Sequence, residues 1–276
     1  MSSDYVLDQS IQEINKKFKE TEIGSKESIS TINSKTAKQG YKEEKMVAED
    51  LTNNKLLKKK FSPLLGDNYD ECSKVTGNHK CDIESNNKNL RAQVKKIKEG
   101  QFQQLDRHWI DHLIANIPDL NKIETILKDV FEYPILPNET HIDRSKKLKK
   151  ISTLYFSQET INNLFKVLNE NIKHILNYAF LGTNSDMQPE YLIGVEYKNN
   201  KRNKIVIFKI CDVINYLEQL KFEISPRETA ILLGNEGIIS LQRKGGDSGK
   251  KSSNQLQIKI IVSKLINKIY NIQYEL

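Results

Sequence analysis

Several features that mark common protein classes are missing from this chain of 276 residues. Residues 1–5 carry neither a basic segment nor an apolar run, so the amino terminus does not resemble a signal peptide. No uninterrupted apolar stretch approaches the roughly 18 residues that are needed to span a bilayer. From these two absences we expect a cytoplasmic protein that has no membrane partner.

Cysteine is scarce, and several catalytic motifs are absent. The three cysteines, Cys72, Cys81 and Cys211, are odd in number and far apart, which favours reduced thiols. Cys72, His79 and Cys81 lack a CxxC pair and an evident fourth ligand, so zinc is not expected there. The chain also has no Walker loop, dinucleotide fingerprint, nucleophile elbow or HExxH sequence. An ATPase, a NAD enzyme and a serine hydrolase therefore lose their main support.

Positive charge is what the chain has in excess. Lysine and arginine number 43 against 36 acidic residues, which gives a formal net charge of +7. Clustered basic side chains favour a polyanionic partner, because neutralising phosphates releases counterions. Charge alone does not separate DNA from RNA or from a membrane surface. With 37% hydrophobic residues the chain can bury a real core, and its length fits one domain or a domain with an appended lobe.

The most informative chemical pattern lies in residues 80–96, where two short strands are predicted around a polar turn at residues 85–89. Alternate side chains of an extended strand share a face, so Gln93 and Lys95 point the same way while apolar neighbours pack beneath them. A hairpin through the turn places Asp82 beside that face. A carboxylate, an amide and an ammonium group would then converge.

This arrangement resembles the PD-(D/E)xK nucleases, and among them the type II restriction endonucleases, in which an Asp, a strand turn and an (E/D/Q/N)-x-K tripeptide form the catalytic core. The chain departs from that pattern at two positions. Cys81 stands where the motif has Pro, and Gln93 stands where the second acidic residue usually lies. The resemblance implies an α/β (α+β) fold, with a central mixed β-sheet flanked by helices in a restriction-endonuclease-like core.

The resemblance also implies the reaction, which is Mg²⁺-dependent hydrolysis of phosphodiester bonds in double-stranded DNA at a short specific site. Asp82, Gln93 and the backbone carbonyl near Val94 are the candidate metal ligands. Lys95 would position the attacking water and offset developing negative charge. Nucleases of this fold often present a Glu from a preceding helix, and Glu44 is the candidate for it. Its competitors are Glu43, Glu49 and Glu84.

A simpler interpretation of Asp82 and Lys95 is an ordinary salt bridge across a hairpin. Both Asp-x-Glu and Gln-x-Lys are common patterns in a lysine-rich chain. The same residues would then stabilise the hairpin without taking part in a reaction.

Two other segments carry side chains that suit DNA contact. A helix predicted over residues 101–116 presents Gln103, Arg107 and His108 on its polar face, directly after the catalytic strand. Arginine can pair with guanine and glutamine with adenine, so a second segment near residues 242–255 is the candidate for base recognition. A solvated helix face and a solvated hairpin tip are the alternatives. The candidate DNA-binding residues of the second segment are Gln242, Arg243, Lys244, Lys250, Lys251 and Gln255.

The predicted organisation is a helical N-terminal arm over residues 1–40 and a nuclease domain over residues 41–276. The strand-rich part from about residue 190 to residue 276 is assigned to DNA recognition. Helices are predicted over residues 41–53, 101–116, 119–131, 158–180 and 212–220, and strands over 191–198, 204–210, 229–234, 238–244 and 256–262.

The resemblance finally implies partners. A two-fold symmetric site needs two active centres to cut both strands, which favours a homodimer, although a monomer can nick the strands in turn. A cognate DNA methyltransferase would act in the same restriction-modification system. The alternative functions are a non-catalytic nucleic-acid-binding protein and a repair or recombination nuclease on the same fold.

Overall fold

The computed structural model describes residues 32–77, 79–132, 156–199, 201–243 and 255–276. The chain divides into two compact units, Met1–Val47 and Ala48–Leu276. The predicted division into an arm of residues 1–40 and a nuclease domain stays a prediction, because most of the arm lies outside the described residues.

Helices and strands are mixed along the described chain. The helices are α1 (Ile32–Asn53), α2 (Lys55–Leu65), α3 (Ile110–Asn116), α4 (Glu124–Phe131), α5 (Gln158–Glu170), α6 (Ile172–Leu181) and α7 (Ile210–Leu217). The strands are β1 (Cys72–Lys74), β2 (Ile83–Ser85), β3 (Arg91–Ile97), β4 (Gln103–His108), β5 (Tyr191–Lys198), β6 (Lys201–Lys209), β7 (Phe222–Ile224), β8 (Ile231–Leu233), β9 (Ile239–Arg243), β10 (Leu256–Ile260) and β11 (Ile272–Glu275). Short 3-10 helices cover Pro118–Ile123, Ser185–Met187 and Val262–Leu265.

A six-stranded mixed sheet, in the order β1-β2-β3-β5-β6-β11, forms the centre of the second unit. β2 and β3 pair antiparallel, with Ile83 opposite Ala92. β3 and β5 run parallel, which places Lys95 opposite Gly194. The first five residues of β5 are all buried, as expected for a strand that is covered on both faces. The predicted hairpin is therefore present and is joined to the middle of a mixed sheet, which confirms the predicted fold class.

A second sheet holds five antiparallel strands in the order β4-β10-β9-β8-β7. In β10 the side chains of Leu256, Ile258 and Ile260 are buried in the apolar core. Because neighbouring residues of a strand face opposite ways, Gln257 and Lys259 lie on the other face. This alternation gives the second sheet one polar face, while its apolar face shares a core with the central sheet and the helices.

The helix predicted over residues 101–116 is wrong in its first half, which is strand β4. Only α3, which begins at Ile110, is helical. Phe102, Leu105 and Trp109 recur at helical spacing, yet Leu105 is buried while Trp109 is 46% exposed. Pairing of β4 with β10 supplies the backbone hydrogen bonds instead. Tertiary pairing thus overrides the local periodicity.

The other predictions differ less from the structure. The predicted strands from residue 191 onward each overlap an observed strand, and the helix predicted over residues 158–180 is interrupted at Asn171. The Asn171 side chain donates to Val167 O at 2.9 Å, and the residue separates α5 from α6. Strands β1, β7 and β11 were not predicted, because they are only three or four residues long.

Packing between β3 and β5 leaves room only for glycine at position 194. A Cβ atom added there would lie 2.5 Å from Ile97 Cδ1 and 3.2 Å from Val262 Cγ1. We expect Gly194→Ala to lower the free energy of unfolding by about 1–3 kcal/mol, because a buried neighbour must move. Urea unfolding measures this change. Gly40→Ala in α1 is the control, since among the described residues a Cβ there would have only Glu44 Oε1 nearby, at 3.9 Å. Equal losses in both variants would contradict the packing.

Candidate active site

The hairpin of β2 and β3 fixes the carboxylate of Asp82. The Asp82 backbone N–H donates to Ala92 O at 2.8 Å, which aligns the residue with β3 just before β2 begins. Its Oδ2 atom accepts a hydrogen bond from Val94 N–H at 2.8 Å and lies 3.5 Å from Lys95 Nζ. Cys81 and Ile83 on either side are buried. The carboxylate is therefore held in one orientation beside the Lys95 ammonium group.

Gln93 places an amide oxygen beside this pair, and that oxygen accepts no hydrogen bond among the described residues. The residue is 2% exposed, and its Oε1 atom has no hydrogen-bond partner among the described residues. Leaving a buried acceptor unpaired costs about 1–3 kcal/mol, so such an atom is expected to gain a partner in the working state. A cation or a hydrogen-bond donor would fit it.

The backbone carbonyl of Val94 is on the side of β3 that faces Asp82. Within an antiparallel ladder the N–H and C=O groups of one residue point to the same neighbour. Because Val94 N–H points to Asp82, the Val94 carbonyl lies on the Asp82 side of β3. Three oxygen-bearing groups, from Asp82, Gln93 and Val94, thus share one edge of the hairpin.

Asp82 and Gln93 line a cleft of about 390 Å³. Its walls come from the hairpin, from β4, and from the end of α6 with the loop that follows. The predicted residues Asp82, Gln93, Lys95, Arg107 and His108 all lie in it. The lining residues that were not predicted include His79, Lys80, Gln104, Asp106, His112, Tyr178 and Asn184.

A buried charge cluster forms the β4 side of the cleft. Asp106 is 7% exposed, and its Oδ1 atom lies 3.1 Å from Lys80 Nζ and 2.7 Å from His108 Nε2. Burial by itself would raise the pKa of Asp106, but the hydrogen bond from His108 and the charge of Lys80 lower it below its usual value. Burial lowers the pKa of Lys80, and the Asp106 charge offsets this only in part.

A sequence signal existed for part of this cluster. Lys80 lies two residues before Asp82, so strand alternation places both on one face. Asp106 and His108 alternate in the same way once β4 is recognised as a strand, whereas a register shift places Gln104 opposite Lys259, on the other face. His112 and Tyr178 carry no such signal, because only the tertiary fold brings α3 and α6 to the cleft.

The alternative carboxylates are Glu84, Glu43 and Glu49, besides the candidate Glu44. Glu84 pairs with Arg91 at 2.8 Å and does not line the cleft. Glu44 and Glu43 are in α1 within the unit Met1–Val47, and Glu49 follows in the same helix. The role of Glu44 as a metal ligand stays a prediction.

The remaining DNA-binding candidates lie on or near the second sheet. Gln103 is opposite Ile260, and Gln255 immediately precedes β10. Gln242 lies opposite Gln257, whose amide donates to Gln104 Oε1 at 3.1 Å, and it lines a second, shallower cleft. Burial lowers the pKa of Arg243 at the end of β9. Three further candidates, Lys244, Lys250 and Lys251, lie outside the described residues.

Two features are absent from the described residues. Within the described ranges, no three His, Cys, Asp or Glu side chains gather closely enough to hold a metal ion by themselves. None of the helices in the part of the chain that the structure covers has the length and apolar character needed to cross a bilayer.

Comparison with known proteins identifies the family. The family model for the R.HinP1I restriction endonuclease matches residues 68–266, which include the hairpin, both sheets up to β10 and the cleft. Among solved structures, the restriction endonuclease MspI in complex with its cognate DNA is similar at 14% sequence identity and a TM-score of 0.46, over 77% of this chain and 82% of that chain. No curated protein matches the chain. The chain belongs to the R.HinP1I restriction endonuclease family, and it is a type II restriction endonuclease, as its sequence resemblance predicts.

Proposed function

We propose that this restriction endonuclease hydrolyses double-stranded DNA with Mg²⁺ through Asp82, Gln93 and Lys95. The observation that carries the proposal is their convergence in one cleft, with the Lys95 ammonium 3.5 Å from the Asp82 carboxylate and an unpaired Gln93 oxygen beside them. An isolated structural salt bridge would not require a buried amide oxygen that lacks a partner. The unpaired oxygen supports a role for the pair beyond a hairpin contact.

The oxygen groups fit a hard divalent cation. Magnesium prefers oxygen ligands, keeps several waters, and is commonly held by one or two carboxylates together with substrate phosphate oxygens. Asp82, Gln93 Oε1 and the Val94 carbonyl would hold it, and the DNA would supply the remaining negative charge. When bound, the ion would polarise the scissile phosphate and lower the pKa of a water molecule.

The protein groups have separate tasks in this scheme. The hydrogen bond from Val94 N–H holds the Asp82 carboxylate in one orientation. Its remaining lone pairs can therefore bind the metal without a further loss of side-chain freedom. Lys95 positions the attacking water and offsets the charge that develops on the phosphate. Glu44 is proposed as an additional acidic group. Because only one carboxylate lies at the hairpin edge, the metal would bind weakly until DNA is present.

DNA contact is assigned to the cleft and to the polar face of the second sheet. Arg107 is an exposed residue of the cleft wall and suits a phosphate or guanine contact. The amides of Gln104, Gln257 and Gln242 lie on three adjacent strands and suit adenine. The proposed recognition part is the strand-rich segment from about residue 190 onward, together with β4. The other proposed DNA contacts are Gln103, His108, Arg243, Lys244, Lys250, Lys251 and Gln255.

The assembly follows from the symmetry of a palindromic target. A homodimer would cut both strands in one encounter, whereas a monomer would nick them in turn. The protein would act beside a cognate DNA methyltransferase that shields the host target, with no stable complex between the two.

Removing either charged member of the hairpin pair should abolish cutting but not binding. We expect Asp82→Ala and Lys95→Ala to slow Mg²⁺-dependent plasmid cleavage by at least about a hundredfold, because each loses a group that acts on the reacting phosphate. Gel analysis of cleavage, with gel-shift binding in EDTA, measures both properties.

Lys96→Ala is the matched control for that experiment. Lys96 follows Lys95 in β3, does not line the cleft, and places its ammonium 4.2 Å from the Tyr197 ring centroid. It should cut like the unchanged protein. Equal loss in Lys95→Ala and Lys96→Ala would mean that β3 needs only positive charge.

Changing the Gln93 amide should change the metal requirement. Gln93→Glu adds a carboxylate, so we expect half-maximal cleavage at a roughly tenfold lower Mg²⁺ concentration, whereas Gln93→Ala should need more. Titration of the cleavage rate with Mg²⁺ measures this shift. Gln101→Glu, an exposed change in the turn before β4, is the control. Identical titrations for all four proteins would argue against Gln93 as a ligand.

Gln242 should affect which sequence is cut. If its amide pairs with a base, Gln242→Ala should relax discrimination at one position of the target by about tenfold. Cleavage rates on duplexes with single substitutions in the mapped target measure it. Gln219→Ala, at an exposed position after α7, is the control. A uniform rate loss on every duplex would instead indicate a phosphate contact.

A further inference from the structure

Two histidines lie side by side in the active-site cleft. His108 ends β4 and His112 lies in the first turns of α3, so the bend at Trp109 brings their rings together. The rings stack with centroids 4.4 Å apart and planes 10° apart. Both side chains line the cleft that holds Asp82 and Lys95. His108 is one of the DNA contacts proposed above, whereas His112 has no task assigned above.

Each ring is anchored through one nitrogen to a buried group. His108 Nε2 lies 2.7 Å from Asp106 Oδ1, and His112 Nδ1 lies 2.6 Å from the Tyr178 hydroxyl. Asp106 and Tyr178 are 7% and 6% exposed. In the described part of the chain, His108 Nδ1 and His112 Nε2 make no hydrogen bond. Two fixed rings therefore each keep one nitrogen for a ligand.

The anchors decide what those nitrogens offer. The Tyr178 hydroxyl can donate to His112 Nδ1, which leaves the proton of a neutral ring on Nε2. His108 Nε2 meets the Asp106 carboxylate, so this nitrogen carries a proton, and a His108 ring that carries both protons also offers Nδ1–H to a ligand. The free nitrogens are then two N–H donors, one of them charged. Donors of this kind bind anions and do not coordinate cations.

Lys80 joins this pair to the hairpin. Its Nζ atom lies 3.1 Å from the same Asp106 oxygen that meets His108, and the residue is two positions before Asp82. Its aliphatic stem packs on Gly182, where an added Cβ would lie 2.8 Å from Lys80 Cγ. The φ angle of Gly182 is +71°, which also favours glycine. Lys80 and Asp106 thus connect the histidine pair to the chain segment that carries the proposed metal ligand Asp82.

We propose that His108 and His112 form a second phosphate-binding subsite, which holds a phosphate adjacent to the scissile one on the strand being cut. The inference rests on the proposed function, because the Asp82 end of the cleft must hold the scissile phosphate. Asp106 and Tyr178 act as positioning residues that aim the two rings. A continuous DNA strand would then meet Lys95 at one phosphate and the histidines at the next.

A protein-by-DNA coupling experiment tests the subsite. Binding is measured by fluorescence anisotropy, in EDTA, with a duplex that contains the target mapped from cleavage products. In a series of duplexes one phosphate at a time near the cut is replaced by a neutral methylphosphonate. We expect one replacement next to the scissile position to weaken binding of the unchanged protein by about tenfold, and to weaken His112→Ala or His108→Gln no further.

His174→Ala is the matched control, because His174 is an exposed histidine of α6 outside the cleft. It should keep the methylphosphonate effect. Losses that simply add in every histidine variant at every phosphate would overturn the subsite. The exposed His112→Ala keeps the test valid if His108→Gln folds poorly.

The outcome is separable from that of the proposed active site. Binding in EDTA needs neither cleavage nor metal, so a missing coupling defeats the subsite even if Asp82→Ala abolishes cutting. Conversely, cutting by Asp82→Ala at the original rate would defeat the proposed catalytic roles, and the coupling at the neighbouring phosphate would still report on the histidines.

Discussion

The hydrogen bond from Val94 N–H to Asp82 Oδ2, at 2.8 Å, is the contact on which the site depends. It links the residue that begins the hairpin to the strand that carries Gln93 and Lys95, and so sets the carboxylate, the amide and the ammonium at fixed mutual positions. The central sheet supports this contact, because β3 is held by β2 on one side and by β5 on the other. The rigid sheet therefore supplies the accuracy that the chemistry needs.

The cleft holds two pairs of oppositely charged side chains and two buried oxygen atoms that lack a hydrogen-bond partner in the described structure. Lys95 meets Asp82, and Lys80 meets Asp106, yet Gln93 Oε1 and Asp106 Oδ2 are buried without partners in the described structure. Such groups are costly in a folded protein unless a ligand completes them. A cleft whose walls carry both cationic groups and unpaired oxygens suits a substrate that is itself an anion bound together with a cation.

The part of this site that lies within one short stretch of sequence could be predicted, whereas the part that depends on contacts between distant segments could not. Asp82, Gln93 and Lys95 could be placed together because two-residue alternation and a polar turn define a hairpin within a short stretch. Strand β4 was mistaken for helix because Phe102, Leu105 and Trp109 have helical spacing, whereas its partner β10 comes from the far end of the chain. Asp106, His112 and Tyr178 were missed for the same reason, since only tertiary packing brings them to the hairpin.

Anomalous diffraction tests most directly whether the hairpin edge is a metal site. Crystals that contain uncleaved target duplex are soaked with Mn²⁺. We expect one strong anomalous peak at the edge shared by Asp82, the Gln93 amide oxygen and the Val94 carbonyl, next to a DNA phosphate. A peak that contacts none of these groups, or a hairpin edge without a peak beside well-ordered bound DNA, would contradict it.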